Sequence, residues 1–490
     1  MVKSRKRTFG GCGIMSEQYK RRKRKNTVNR GLLALMSFVI VLAVAAGSIF
    51  VIETFSGDGN DLTSSGNNTV SSVVSTPSEP EGPKPITKVS TATVVATGDL
   101  LMHEPIFNNA KQSDGTYNFD NIFTYLSEYA TEADYAVANL ETTLRGTEDG
   151  YSYKGYPQFN CPDSIVDATK VAGFDMLLTA NNHSYDTRYK GMIRTLEVID
   201  EKGLDRLGII KEETEKRYIV KEINGIKIGM ICYTYETDTD PGDVALNGIA
   251  LNEDAEKRVN AFSYGELDTF YETIDGQFKA MKADGAEALV LFIHWGDEYQ
   301  VKQNKKQSAI AQKLCDLGVD VIVGGHPHVV QPIDLLTSET DPSHKTVCLY
   351  SMGNAVSNQR RERMNLKTGH TEDGVLFKFT FAKYSDGTVV LEDADVLPTW
   401  VNMFTSKATG KKVYQIIPLD TEKTDWKEAF DLTDTSKKKA EESLARTEKI
   451  IGEGLKEVQE YLSSAENTYP KPETSEPTDS SSVSSETASE

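Results

Sequence analysis

From about residue 91 onward, apolar runs of strand length alternate with amphipathic stretches of helix length. The runs fall at 94–97, 135–140, 175–179, 289–293, 319–323 and 347–351. Helical candidates lie between them at 122–133, 163–172, 190–202, 266–283 and 305–317. Such alternation predicts an α/β domain whose helices cover the faces of its sheets. Two hairpins interrupt it. Residues 218–223 turn through Asn224-Gly225 into 226–233, and 375–382 turn near Asp386-Gly387 into 388–396, so mixed sheets are expected. Beyond Trp426, Leu444, Ile451, Leu455, Val458 and Leu462 recur on one side of a helix predicted over 436–462. That stripe reads as packed on the domain. The pattern contains no internal repeat.

The two ends differ from this middle. Residues 32–52, from Leu32 to Ile52, form an uncharged apolar run. At about 1.5 Å per residue, a helix of that length matches a hydrocarbon core of about 30 Å. The basic cluster at 20–25 precedes it, which predicts a cytoplasmic N-terminus and an extracytoplasmic main domain. A cleaved signal peptide is the alternative, with Ala43-Val44-Ala45 as its site, but the apolar run continues past that point through Ile52. The expected organisation is a basic cytoplasmic segment (1–30), a single-pass signal anchor (31–52) and a flexible linker (53–88). The α/β domain (89–425), a C-terminal helix (426–465) and a disordered Ser/Glu-rich tail (466–490) follow.

Charge sharpens the division. Residues 1–30 hold eleven Lys or Arg against one acid, Glu17, so about +10 sits there; the formal total of −19 leaves about −29 on the remainder. An acidic outer part excludes nucleic acid as its bulk electrostatic partner. Cys161, Cys232, Cys315 and Cys348 are widely spaced without a C-x-x-C pair, which reads as buried thiols more than a disulfide framework; spacing alone leaves a bridge open.

Five of the seven histidines fall in four short motifs, each at the end of an apolar run. The motifs are Gly98-Asp99-Leu100-Leu101-Met102-His103, Asn181-Asn182-His183-Ser184-Tyr185-Asp186, His294-Trp295-Gly296-Asp297 and Gly324-Gly325-His326-Pro327-His328. Glu141 follows the 135–140 run in the same way. In open α/β sheets, strand ends are where ligands collect. Imidazoles, carboxylates and an amide gathered there suit a divalent ion such as Mn, Fe or Zn. His326-Pro327-His328 sets two imidazoles on one side of a strand exit, and Asp186 stands where a carboxylate could orient His183. His344 and His370 lie in polar sequence and read as surface residues.

These phrases, in this order, resemble the calcineurin-like metallophosphoesterase superfamily, and within it the CapA/PgsA family of capsule and poly-γ-glutamate synthesis. The phrases are Thr97-Gly98-Asp99, Asn139-Leu140-Glu141, Ala180-Asn181-Asn182-His183, His294-Trp295-Gly296, Gly325-His326-Pro327-His328 and Tyr350-Ser351-Met352-Gly353-Asn354. The likeness spans about 91–400. It implies a four-layer sandwich, two mixed β-sheets flanked by helices, with metals at one edge. It also implies that Asp99 and His328 hold one metal and Asn182, His294 and His326 a second, with Glu141 bridging. His183, steered by Asp186, would protonate a leaving group. Two departures stand out. Three residues separate Asp99 from His103 where the superfamily has Asp-x-His, so His103 is expected on substrate; and Glu141 replaces the usual Asp. Trp295, Glu298, Tyr299 and Asn354 are expected along the pocket, with rim packing and strand capping as the alternative.

The resemblance implies a membrane-anchored exported protein that helps make or export an anionic surface polymer, poly-γ-glutamate or capsule. Its expected partners are the membrane, through 32–52, and membrane polymer-synthase subunits. A metal-dependent phosphoesterase acting on an envelope phosphoester and a non-catalytic scaffold are the alternatives.

Overall fold

Period-two alternation along the strands decides how the chain layers itself. The computed structural model describes residues 84–237, 244–423 and 425–470. In chain order the first strands are β1 (Lys88–Leu100), β2 (Tyr135–Asn139), β3 (Met176–Leu178), β4 (Asp205–Leu207), β5 (Tyr218–Ile223), β6 (Ile226–Tyr235), β7 (Ala245–Leu246), β8 (Ile249–Ala250) and β9 (Ala261–Phe262). Then come β10 (Ala288–His294), β11 (Val321–Gly325), β12 (Ile333–Thr337), β13 (Lys345–Leu349), β14 (Asn354–Val356), β15 (Asp373–Tyr384), β16 (Val389–Thr405) and β17 (Lys412–Pro418). The longer helices are α1 (Ser164–Val171), α2 (Arg188–Lys202), α3 (Leu267–Ala283), α4 (Lys305–Asp316) and α5 (Asp434–Leu462).

In β10, Ala288, Val290 and Phe292 enter one buried cluster while Leu289, Leu291 and Ile293 enter another. In β1, Ala92, Val94 and Ala96 join that first cluster and Val95 a third. Both faces of both sheets are therefore covered. The shared cluster is the core between the sheets; the other two pack helices on the outer faces, among them α1 on the first sheet and α3 and α4 on the second.

The first sheet runs β17-β16-β15-β1-β2-β3-β4, with β14 also on β1. The second runs β12-β13-β11-β10-β6-β5, with β9 on β6. In each, a parallel centre continues into antiparallel strands: β1, β2, β3 and β4 are parallel, as are β6, β10, β11 and β13, while β15–β17, β5 and β12 pair antiparallel. The expected mixed sheets and flanking helices are present. The helix expected over 122–133 is instead two short ones, Asp120–Phe123 and Ser127–Thr131. Three-residue bonds tighten the turn at its start and at the break, Ile122 N donating to Phe119 O at 2.9 Å and Leu126 N to Phe123 O at 3.0 Å.

Helix α5 closes one side of the core. Its Ile451, Val458 and Leu462 are buried in the inter-sheet cluster. Arg446 grips Asp373, at the start of β15, through two bonds of 2.8 and 2.6 Å. Among the described residues no helix is long and apolar enough to cross a membrane. The expected span at 32–52, its basic flank, most of the linker and residues 471–490 lie outside the described residues.

Gly454 of α5 faces the Ile333 carbonyl so closely that a Cβ there would meet its oxygen at 1.7 Å. Ala would gain about 0.8–1 kcal/mol of helix propensity, whereas overpacking costs about 1–3 kcal/mol. Gly454→Ala should therefore lower the thermal unfolding midpoint of the purified chain. A raised midpoint would mean that α5 does not press on β12.

Candidate functional site

The carboxyl ends of the two parallel centres converge on one cleft. Asp99, one residue before the end of β1, is in register with Asn139 of β2 and Asn354 of β14. Glu141 follows β2, Asn182 and His183 follow β3, His294 closes β10, and His326 and His328 follow β11. Contacts cross between sheets: His328 Nδ1 lies 3.0 Å from Asp99 Oδ2, and His294 Nε2 lies 2.9 Å from Asn182 Oδ1.

Local backbone chemistry makes this convergence possible. A Cβ on Gly98 would meet the Gly353 carbonyl oxygen at 1.9 Å, and one on Gly324 the Tyr350 carbonyl oxygen at 1.9 Å. Only glycine lets these strand ends approach so closely. Immediately beyond, His326 and His328 adopt φ of +99° and +56°. Such conformations cost a non-glycine residue about 1–3 kcal/mol and persist where surrounding structure enforces them, often at functional sites. Here the strain turns both imidazoles into the cleft.

Two donor groups result, each with its ligand atoms within 4.8 Å of one another: Glu141, His294 and His326, and Asp99, Glu141 and His328. Glu141 belongs to both. It is fully buried, and neither of its carboxylate oxygens has a hydrogen-bond partner. Its Oε1 lies 3.5 Å from His294 Nε2 and 3.8 Å from His328 Nε2. Burial, then the negative charge of Asp99, push its pKa well above the usual carboxylate range. Burial works the same way on Asp99, but the His328 hydrogen bond and charge outweigh it and hold Asp99 below that range. Burial pulls His294 down to about 3 and His326 well below the ordinary imidazole value. Imidazoles kept neutral by burial, with His326 Nδ1 unpaired, beside an unsatisfied carboxylate are the chemistry of a divalent-cation site. The residues present fit such an ion.

A second constellation adjoins it. His183 Nδ1 lies 2.8 Å from Asp186 Oδ2, and the same oxygen accepts from the Phe159 backbone N–H at 2.6 Å. The Phe159 ring meets His183 edge-on at 4.7 Å and His103 at 5.3 Å. His103 stands outside both donor groups. Its Nδ1 approaches the Leu101 carbonyl at 3.1 Å and the Asn358 backbone N–H at 3.3 Å, and burial lowers its pKa to about 4.

The remaining expected pocket residues divide. Tyr299 sits 6.2 Å from the His328 ring, its hydroxyl accepting from Gln359 Nε2 at 3.2 Å, and Glu298 is exposed. Trp295 is not a pocket residue. It is fully buried among the side chains between the second sheet and its helices, stacked on Tyr350 with its indole N–H on the Tyr350 carbonyl at 2.9 Å. The strand alternation that points His294 toward the cleft turns the next residue the other way. Asn354 is buried too; its amide donates to the carbonyls of His328 (3.1 Å) and Thr371 (3.0 Å) and to Gln359 Oε1 (3.0 Å), so it holds the His328 loop.

Sequence reasoning missed several participants. Asn139 donates to Asp99 Oδ1 at 2.7 Å, and Asn181 braces Asn139 at 3.1 Å; their place beside the motif residues was the available signal. Tyr235, at the end of β6, lays its ring on His326 at 4.7 Å. Phe159 and Asn247 carry no local signal at all.

Glu141→Gln separates stability from metal binding. A folded-state pKa raised above the unfolded value of about 4.3 means that ionisation opposes folding. The metal-free protein should therefore lose stability as pH rises from about 4.3 through the folded-state pKa. In Glu141→Gln that loss should shrink, raising the metal-free melting midpoint near neutral pH. The same variant should forfeit stabilisation by added Mn, which reaches about 2.7 kcal/mol at a hundredfold excess over Kd. Calorimetry with and without Mn checks both signs.

Among solved structures, Haemophilus influenzae NAD nucleotidase (NadN) aligns over 74% of this chain and 63% of its own, at 13% identity and a TM-score of 0.39. The Bacillus anthracis capsule biosynthesis protein CapA is 27% identical over 347 residues, 68% of this chain and 74% of that one. The Bacillus subtilis PGA biosynthesis protein CapA is 26% identical over 301 residues, 61% of this chain and 70% of that one. A Mycobacterium tuberculosis protein named as a probable polyglutamine synthesis accessory protein is 24% identical over 213 residues, 42% of this chain and 52% of its own. A family model described as bacterial capsule synthesis protein PGA_cap matches residues 93–359, a span that holds every residue of both donor groups and the His183–Asp186 pair. The chain belongs to the PGA_cap family of bacterial capsule synthesis proteins.

Proposed function

We propose that this chain is a membrane-anchored, exported protein that takes part in the synthesis or export of an anionic surface polymer, poly-γ-glutamate or capsule. In this reading its cleft holds two divalent ions, Mn, Fe or Zn. The observation that carries it is the family match over 93–359, which encloses two donor groups sharing one unsatisfied carboxylate. The names of the two Bacillus relatives support the polymer context. The apolar run at 32–52 behind its basic flank supports the anchor, with the main domain outside the cell and membrane synthase subunits as partners.

The His183–Asp186 pair favours a second reading, a metal-dependent phosphoesterase acting on an envelope phosphoester. Ions bound there would supply an activated water and neutralise charge on the phosphoryl oxygens. The chain's own part is proton transfer. As the oxygen of that water, its proton released to solvent, bonds to phosphorus and the bond to the leaving oxygen breaks, the doubly protonated His183 ring would give its Nε2 proton to the leaving oxygen. Asp186, holding Nδ1, keeps the ring oriented.

Elemental analysis of the purified full chain should find about two equivalents of Mn, Fe or Zn, lost from a His326→Ala/His328→Ala double variant, in line with a two-ion site. A folded, metal-supplied protein without metal would sink both the two-ion centre and the esterase reading, leaving a scaffold. Deleting residues 32–52 should cut surface-polymer yield in cells that retain the soluble domain. Unchanged yield would refute the membrane-assembly role.

A further inference from the structure

A hairpin remote from every chemical motif reaches the His183–Asp186 pair. β7 and β8 are joined by Asn247-Gly248, with φ of +50° and +68°, the left-handed pair that a tight two-residue hairpin turn demands. The Asn247 amide nitrogen donates to Asp186 Oδ1 at 2.9 Å and to the Pro157 carbonyl at 2.9 Å, and stands 3.3 Å from His183 Nδ1. Its two hydrogens are thereby committed, so it has none to offer Nδ1.

Asp186 is then held from outside on both oxygens. Oδ1 accepts from Asn247, and Oδ2 accepts from the Phe159 backbone N–H while facing His183 Nδ1 at 2.8 Å. A carboxylate fixed this way cannot rotate, and the only useful proton between it and the imidazole is one on Nδ1. Among the described residues, Nε2 of His183 has no hydrogen-bond partner. The pair therefore has one uncommitted ring atom.

We propose that Asn247 is a positioning residue: through Asp186 it keeps a proton on His183 Nδ1, so that the second proton of the charged ring sits on Nε2, passes to the leaving oxygen of a substrate, and leaves the Nδ1-protonated tautomer behind. By also holding the Pro157 carbonyl, it pins the loop that sets the Phe159 ring against His183. This inference rests on the reading of His183 as proton donor.

Asn247→Gly keeps the left-handed turn and removes the amide. Asn247→Asp keeps the shape but sets a second carboxylate against Asp186. If Asn247 served only the turn, Asp and Gly would both resemble the native residue; if its N–H matters, Asp should be the worse of the two. Two measurements on the full chain decide. In the metal-free, histidine-labelled protein, long-range proton–nitrogen NMR should find a single Nδ1-protonated tautomer for His183 and a mixture in Asn247→Gly; in Asn247→Asp the new carboxylate faces Nδ1 itself, so that variant is read by turnover alone. In the Mn-loaded protein, kcat for β-glycerophosphate, whose alkoxide must be protonated on leaving, should fall about tenfold or more in both variants, the range expected for outer partners. KM and metal content should hold. p-Nitrophenyl phosphate, whose leaving group needs no proton, should change less than threefold, or about 0.6 kcal/mol or less of barrier.

An unchanged tautomer in Asn247→Gly, or β-glycerophosphate turnover that drops in His183→Ala but not in either Asn247 variant, would overturn the assignment. Absence of any His183-dependent turnover would instead refute the proton-donor reading, and the NMR result would still decide what Asn247 holds.

Discussion

Glu141 is a carboxylate sealed in the protein with no hydrogen bond to either oxygen, and the rest of the site is arranged around that cost. Leaving a charge in such a place is among the most unfavourable things a fold can do. Asp99 beside it makes matters worse, because two neighbouring carboxylates cannot both ionise freely. Burial meanwhile keeps His294 and His326 neutral, so on that side Glu141 meets lone-pair donors and no positive charge. Without a metal the carboxyl is driven toward its neutral form; a bound divalent cation would let it ionise, which is why the donor set reads as a metal site.

Holding these groups together requires the two face-packed sheets to bring their carboxyl ends to one rim. The shared core supplies the attraction, with alternate side chains of β1 and β10 in one cluster. Gly98 and Gly324 remove the side chains that would keep the ends apart. His326 and His328 then accept an unfavourable backbone conformation to face the cleft. α5, beyond the family-matched span, steadies this assembly from the far side: its Arg446 holds Asp373, close in sequence to the Thr371 carbonyl on which Asn354 depends. The site is thus paid for by the global packing and not by any one loop.

Function follows from the pairing of two kinds of group. The donor set can neutralise and activate; the His183–Asp186 pair can move a proton. Their proximity in a PGA_cap family domain sets a His–carboxylate pair beside a candidate cation site, the arrangement on which the proposed esterase reading rests. The hairpin carrying Asn247 joins the two sides of this cleft by hydrogen bonds that no strand end provides.

Much of this was legible in the chain. Alternation of apolar runs with amphipathic stretches predicted mixed sheets with flanking helices, and strand exits predicted Asp99, Glu141, His183, His294, His326 and His328, because periodicity and strand polarity are local properties. The Trp295 expectation failed for the same local reason, one residue out of phase: adjacency in sequence to a ligand is opposition in a strand. Asn247 and Phe159 were invisible, since an Asn-Gly turn and a lone Phe look alike wherever they occur. Which carboxylate they would hold depended on hairpin and loop closing over β3's exit. What the sequence by itself determined was the set of residues each strand would deliver to its end. Only the tertiary structure decided which ends would meet, because hydrogen bonds and desolvation act between groups brought together by packing, across separations in the chain that no local pattern encodes.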